Sequence, residues 1–154
     1  MSSQIKFYWE DFKIGKKELM GSVVVDRDEV IEFASRYDPQ PFHVDEEAAK
    51  RSIYGGLIAS GWHTCSMVMR IMCDSYMLET ASLGSPGLEN VRWLRPVRPG
   101  DTLTAYRTIL EARVSESRPD RGIVKTLWEV ENQEKEMVLK MSGVNFFLRR
   151  NPEL

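Results

Sequence analysis

Apolar and polar positions along this chain change their period once, near residue 80. Before that point the pattern is helical. Val30, Phe33, Ala34 and Tyr37 fall at i, i+3, i+4 and i+7, the spacing of one apolar stripe on an amphipathic helix. Asp26 stands where the N-cap belongs, and Glu29 follows three residues later at capping-box spacing. Asp38-Pro39 ends this helix, because the residue before a proline is pushed out of the helical region. A short second helix is expected from Glu46 to Arg51, with Asp45 as its cap. The run "GWHTCSMVMRIMCDSY", Gly61 to Tyr76, is apolar almost all round, with Arg70 and Asp74 as its only charges at i and i+4. A helix with so little polar face is normally wrapped by other structure, so this one is expected to be the buried central helix.

After "ETASLGSPG", which reads as a loop, the period becomes two. "LENVRWLRP", "TLTAYRTILEARV", "IVKTLWEVEN" and "MVLKMSGVNFFLRR" are rich in β-branched and aromatic residues, and "RPGD", "SRPDRG" and "NQEKE" between them are the breaker clusters that join antiparallel strands. With a further strand near Glu18 to Val25 the count is about five. The order of one strand, then helices, then a strand meander predicts an α+β fold with one long helix on an antiparallel sheet. No internal repeat, low-complexity tract or linker interrupts residues 1–154, which are expected to form one domain.

Charge and composition narrow the partners. Lys and Arg number 21 against 23 Asp and Glu, a formal net charge of -2, so no overall basic field favours nucleic acid or an acidic membrane. The opening "MSSQIKFYWEDF" lacks the features of a signal peptide, and no run approaches the ~20 apolar residues of a membrane span. A cytoplasmic location is the expectation. Cys65 and Cys73 lie eight apart within the central helix, about 12 Å along its axis at ~1.5 Å per residue. That separation excludes a disulfide between them, and two buried, reduced thiols fit a reducing compartment.

The chemistry concentrates in "YDPQPFHVDEEAAKRSIYGGLIASGWHT", Tyr37 to Thr64. Asp38 and His43 sit five positions apart on a segment that Pro39 and Pro41 stiffen, expected to be a non-repetitive loop. A carboxylate and an imidazole held in one pocket can orient a water molecule and move protons to and from it. As an isolated pattern, the same residues also describe a helix-ending turn beside a half-buried loop histidine. Gly61, at the first turn of the central helix, offers an unpaired backbone N–H with the helix dipole behind it, a donor suited to a carbonyl oxygen that becomes an oxyanion. Equally, a glycine there fits a helix that starts in a crowded core.

These residues resemble the MaoC-like dehydratase family, whose best-characterised members are R-specific enoyl-CoA hydratases. "YDPQPFHVDEEAA" is similar to that family's hydratase motif, an aspartate and a histidine five residues later flanking an asparagine-proline pair. "GGLIASGWHT" resembles the segment that opens the family's central helix, and "PVRPGDTL", Pro96 to Leu103, its turn between two strands. The similarity spans roughly Phe7 to Arg149. It implies the hotdog fold, an antiparallel sheet wrapped round a long helix, and reversible, cofactor-free addition of water to a trans-2-enoyl thioester of coenzyme A or an acyl carrier. It further implies that Asp38 and His43 hold the water, take a proton from it as it attacks C3 and return one to C2, while the Gly61 N–H receives the thioester oxygen. Gln40 stands where the motif usually has asparagine, and Ser60 where many of these hydratases carry a histidine, as in a subgroup that reads "SGWH".

Gln40, Ser60, His63 and Ser66 are further candidates for the pocket. His63 equally fits a core histidine with one satisfied nitrogen, and Ser66 a helical serine bonded back to its own carbonyls. Metal binding by His43, His63, Cys65 and Cys73 fails on spacing. Trp62, Met67, Met69, Met72 and Met77 read as core, with some lining an acyl tunnel. Arg92, Arg95 and Arg98 read as solvated strand residues or as contacts for coenzyme A phosphates. Five strands round one helix leave edges and a helix face uncovered, which favours a homodimer or an oligomer of dimers. Two other readings remain beside the hydratase: a non-catalytic acyl-thioester binder or partner subunit, and a hotdog acyl-CoA thioesterase.

Overall fold

A computed structural model describes residues 4–153. Strand β1, Glu18–Val24, leads into helix α1, Arg27–Tyr37. Asp26 caps α1 through Oδ2, which accepts from the Glu29 N–H at 2.9 Å. Only half of the expected capping box forms, because the Glu29 carboxylate turns instead to His63, with Oε1 at 3.1 Å from Nε2. Val30 and Ala34 are fully buried, whereas Tyr37, the last member of the predicted stripe, is 66% exposed. At the far end the Asp38 N–H donates to the Ala34 carbonyl and the helix stops.

The proline-containing segment is more regular than the sequence suggests. Pro41–Val44 form a helical turn, α2, with Pro41 in its first turn. Proline's fixed φ suits that position, where its missing N–H costs nothing. Helix α3, Glu46–Lys50, follows, and Asp45 Oδ1 caps it by accepting from the N–H groups of Glu47 and Ala48. A buried stretch, Leu57 to Ser60, then delivers the chain to α4, Gly61–Ser75.

Four further strands complete one antiparallel sheet: β2, Ser82–Trp93; β3, Thr102–Val114; β4, Arg121–Glu131; and β5, Met137–Leu148. Their spatial order is β1-β3-β4-β5-β2. "SRPDRG" and "NQEKE" join neighbours, as expected, but "RPGD" does not, since β2 and β3 lie on opposite sides of the β4–β5 pair. Nor is "SLGSPG" a loop: it is the bulged start of β2, with Gly84 and Gly87 at φ 97° and 144° where the register slips against β5. Pro86 is tolerated because β2 is an edge strand whose outer N–H groups pair with nothing in the sheet. This helix-in-sheet architecture is the hotdog fold.

The core lies between α4 and the sheet. Val68, Ile71 and Met72 of α4 share one buried cluster with Val124, Trp128 and Val130 of β4 and Leu139, Met141 and Phe147 of β5. The strict alternation of buried and half-buried positions along β4 is the pleat read directly from the sequence. Phe12 stacks on Phe147 at 4.2 Å, and the Trp128 indole donates to the Tyr76 hydroxyl at 3.4 Å.

Contrary to expectation, α4 is not wrapped all round. Trp62 and Met69 are 61% and 44% exposed, and Ser66 and Arg70 share that open side, with Arg70 bonded to Asp74 at 3.1 Å. Cys65 and Cys73 are free but half-buried rather than buried, because they border the same open face. Nearly all of β2 is exposed as well, including Leu88 and Trp93. Among the described residues, no helix is long and apolar enough to cross a membrane. Leu139 is fully buried in the central cluster, so Leu139→Ala is expected to lower the unfolding free energy by about 2–5 kcal/mol, measured by urea denaturation.

Candidate functional site

The segment between α1 and α4 folds back so that Asp38, at the C-cap of α1, meets His43 on α2. Asp38 Oδ2 lies 3.3 Å from His43 Nε2. His43 is 4% exposed, and its Nδ1 lies 2.7 Å from the Ile58 carbonyl oxygen. A carbonyl can only accept, so Nδ1 carries a proton and Nε2 is left as the basic nitrogen of the neutral ring. A direct Nε2–carboxylate hydrogen bond then requires a protonated ring. In the neutral ring, two acceptors converge on one point, where a single donor with two hydrogens satisfies both.

Asp38 is itself held from two sides. Ser60 Oγ donates to Oδ2 at 2.7 Å and Gln40 Nε2 to Oδ1 at 2.7 Å. Partial burial works to raise the Asp38 pKa, but the Ser60 and Gln40 hydrogen bonds and the nearby His43 ring outweigh it and hold the carboxyl below its ordinary value. The two departures from the expected motif are thus the two donors that keep the carboxylate ionised. Ser60 is fully buried and makes no side-chain cap on α4, because its hydroxyl is engaged by Asp38.

Gly61 opens α4 and lines the same cavity. Its N–H is among the first-turn donors that have no acceptor within the helix. The reason for glycine here is Trp93, whose indole donates from Nε1 to the Gly61 carbonyl at 3.0 Å. A Cβ on residue 61 would lie 2.5 Å from the Trp93 ring. The crowding comes from β2, remote in sequence.

The cavity has a volume of about 450 Å³. Phe42, Tyr54 and Thr64 line it with the dyad, and Trp93, Leu94 and the "RPV" of Arg95 to Val97 close one side. That segment is anchored where the Ala59 N–H donates to the Val97 carbonyl at 2.8 Å. The three arginines of the sheet edge differ in placement. Arg95 reaches the cavity but pairs with Glu136 at 2.9 Å, Arg98 donates to the Tyr54 carbonyl at 2.7 Å, and Arg92 borders a separate shallow hollow with Leu127 and Lys140.

Two candidates lie elsewhere. His63, 3% exposed, points to the opposite side of α4, where it stacks on Phe33 at 4.8 Å and meets Glu29 beside a second cavity. Two positions along a helix turn the side chain by ~200°, so Gly61 and His63 cannot face one pocket. Ser66 donates to the Trp62 carbonyl at 2.8 Å and is exposed. Tyr54, Thr64 and Trp93 belong to the cavity without any sequence signal, since neither period nor spacing marks them.

Two outcomes are expected. Because the folded-state pKa of Asp38 is depressed, its stabilising contribution is present above the ordinary carboxylate pKa of ~3.9 and is lost as pH falls through the folded value. The stability gap between the protein and Asp38→Asn, followed by denaturation at several pH values, should therefore be widest near neutrality and close on acidification. Gly61→Ala should expel Trp93 from its bond to the helix, seen as a red shift of indole emission.

Comparison with known proteins agrees with this fold. Residues 12–139 match the family described as the MaoC like domain. A Bacillus subtilis protein called YdeM, itself uncharacterized, is 28% identical over 131 residues, covering 85% of this chain and 92% of its own. An (R)-specific enoyl-CoA hydratase of Rhodospirillum rubrum is 26% identical over 109 residues, covering 68% of this chain and 71% of that protein. The crystal structure of a MaoC-like dehydratase from Rhodospirillum rubrum superposes with a TM-score of 0.86 at 38% identity, covering 94% of this chain and 99% of that one. Sheet order, central helix and matched residues together establish that this chain belongs to the MaoC-like domain family.

Proposed function

We propose that the protein is a hydro-lyase that adds water to, or removes it from, the 2,3 double bond of an enoyl thioester of coenzyme A or an acyl carrier. The observation that carries this reading is the convergence of His43 Nε2 and Asp38 Oδ2, 3.3 Å apart, in a cavity that Gly61 also lines. A water molecule donating one hydrogen to each acceptor has its oxygen free to attack C3. His43 takes the proton as the O–C3 bond forms, and Asp38 steadies the imidazolium. Electrons of the double bond move toward the carbonyl, whose oxygen gains negative charge against the Gly61 N–H and the positive end of α4. C2 then takes a proton from the dyad, so that H and OH have been added and both protein groups are restored. The family resemblance supports the R-3-hydroxyacyl thioester as the product.

An acyl tail has room beyond this cavity. A groove of about 690 Å³ runs between the open face of α4 and β2, lined by Met69, Met72, Met77, Leu88, Trp128 and Met141. Methionine adapts to chains of variable length. The exposed β2 edge and the adjoining face of α4 give a second copy of the chain a continuous surface, so a homodimer with its sheet extended across β2 is the assembly that fits. Free thiols at Cys65 and Cys73 accord with a reducing, cytoplasmic setting.

The test follows crotonyl-CoA and longer enoyl-CoAs by loss of enoyl absorbance, with thiol release read separately. Hydration without thiol is the expected result; thiol release would favour a thioesterase, and binding with neither a non-catalytic binder. His43→Ala and Asp38→Asn should each lower kcat by roughly 10²–10⁴-fold with circular dichroism unchanged. Turnover near that of the unaltered protein in either variant would remove its residue from the proposed role.

A further inference from the structure

Strands β2, β5 and β4 carry a second polar cluster, on the face of the sheet turned away from α4. Val91 and Met141, paired in register, pack toward the core under α4. The pairs on either side of them, Asn90 with Ser142 and Arg92 with Lys140, therefore share the opposite face. With Leu127, which stands opposite Ser142 on β4, these four line a hollow of about 210 Å³. Two cations directly opposite each other in a ladder repel. Nearby carboxylates are engaged elsewhere: Glu129, in register with Lys140, meets Lys17 at 3.8 Å, Glu89 meets Lys125 at 2.9 Å and Glu136 meets Arg95 at 2.9 Å. Among the described residues the side chains of Arg92, Lys140, Asn90 and Ser142 have no hydrogen-bond or ion-pair partner. Ser142 is only 8% exposed, and a polar side chain so buried is seldom left without one.

We propose that this hollow is a phosphate-binding site, in which Arg92 and Lys140 neutralise a phosphate monoester while Asn90 and Ser142 donate to its oxygens. A guanidinium, an ammonium, an amide and a hydroxyl offer donors without a carboxylate among them, and two positive charges match a phosphate's near-double negative charge. A sheet continued across the β2 edge adds strands beside this face and does not cover it, so the site stays open in the proposed dimer. Two sources carry this chemistry. One is the nucleotide end of coenzyme A, since Trp93, next to Arg92, lines the dyad cavity. The other is a separate phosphorylated small molecule. The site itself is independent of the hydro-lyase reading, and only its first source rests on that reading.

The experiment titrates adenosine 3′,5′-bisphosphate and inorganic phosphate into the full-length protein by calorimetry at low ionic strength, and repeats it with Arg92→Gln, Lys140→Gln and Ser142→Ala. Each variant should bind about tenfold more weakly, the scale of one hydrogen bond to a charged group, with circular dichroism unchanged. Ser142→Ala alters no charge, so its effect separates a built site from a general positive field. Arg118→Gln, which removes the same charge from the β3–β4 hairpin, should leave binding as it is. The source is read from KM for crotonyl-CoA and for crotonyl-pantetheine, which carries no phosphate. A severalfold rise in Arg92→Gln for the coenzyme A thioester alone assigns the nucleotide end of coenzyme A. Unchanged KM for both, with phosphate binding still lost, assigns a separate ligand. Three results would overturn the site: no binding of either probe, full binding in Ser142→Ala, or an equal loss in Arg118→Gln. A protein that binds phosphate as expected but hydrates neither thioester overturns the hydro-lyase reading and leaves the site standing, with a separate ligand.

Discussion

The short stretch from Ile58 to Ser60 holds the site together. It is buried, and two of its polar groups face the dyad: the Ile58 carbonyl accepts from His43 Nδ1, and the Ser60 hydroxyl donates to Asp38. One contact sets the tautomer of the imidazole, and the other keeps the carboxylate charged. Because the same stretch runs straight into α4, the position of Gly61 is set by the chain that fixes the two side chains. Carboxylate, imidazole and helix N-terminus are thus placed relative to one another by backbone geometry over four consecutive residues, and a displacement of one displaces all three.

Around this strut the fold supplies two walls. The Ala59 N–H bonds to Val97, which ties the strut to the connection that follows β2, and Trp93 at the end of β2 lies against the Gly61 carbonyl. An edge strand is an unexpected place for a site wall, since its outer side is open. Here the open side is useful, because it leaves β2 available to the proposed second copy. The exposed apolar face of α4 has the same meaning. An exposed apolar face of this kind is what the proposed second copy would cover.

The helical half shows how tertiary contacts redirect local signals. Glu29 has the spacing of a capping-box partner, yet its carboxylate serves His63, because a buried imidazole gains more from a carboxylate than a solvated helix end does. Ser60 has the position of an N-cap, yet its hydroxyl serves Asp38. Local hydrogen bonds and distant ones compete for the same few polar groups, and the buried partner prevails.

Much of the molecule was legible in the sequence. Period and breakers alone located α1, α3, α4 and the strands of the sheet, because burial on one face imposes a repeat that composition cannot hide. The five-residue interval between Asp38 and His43 and the glycine before a run of apolar residues marked the candidate site, and similarity to a family joined them. What sequence could not supply was anything that depends on strands distant in the chain: that β2 lies beside β5, that a Gly- and Pro-rich stretch is a bulged edge, that Trp93 reaches Gly61, or that His63 faces away. Periodicity records which side of an element is buried but not which element buries it. The identity of the neighbour, and with it the walls of the cavity, was decided only when the sheet closed round the helix.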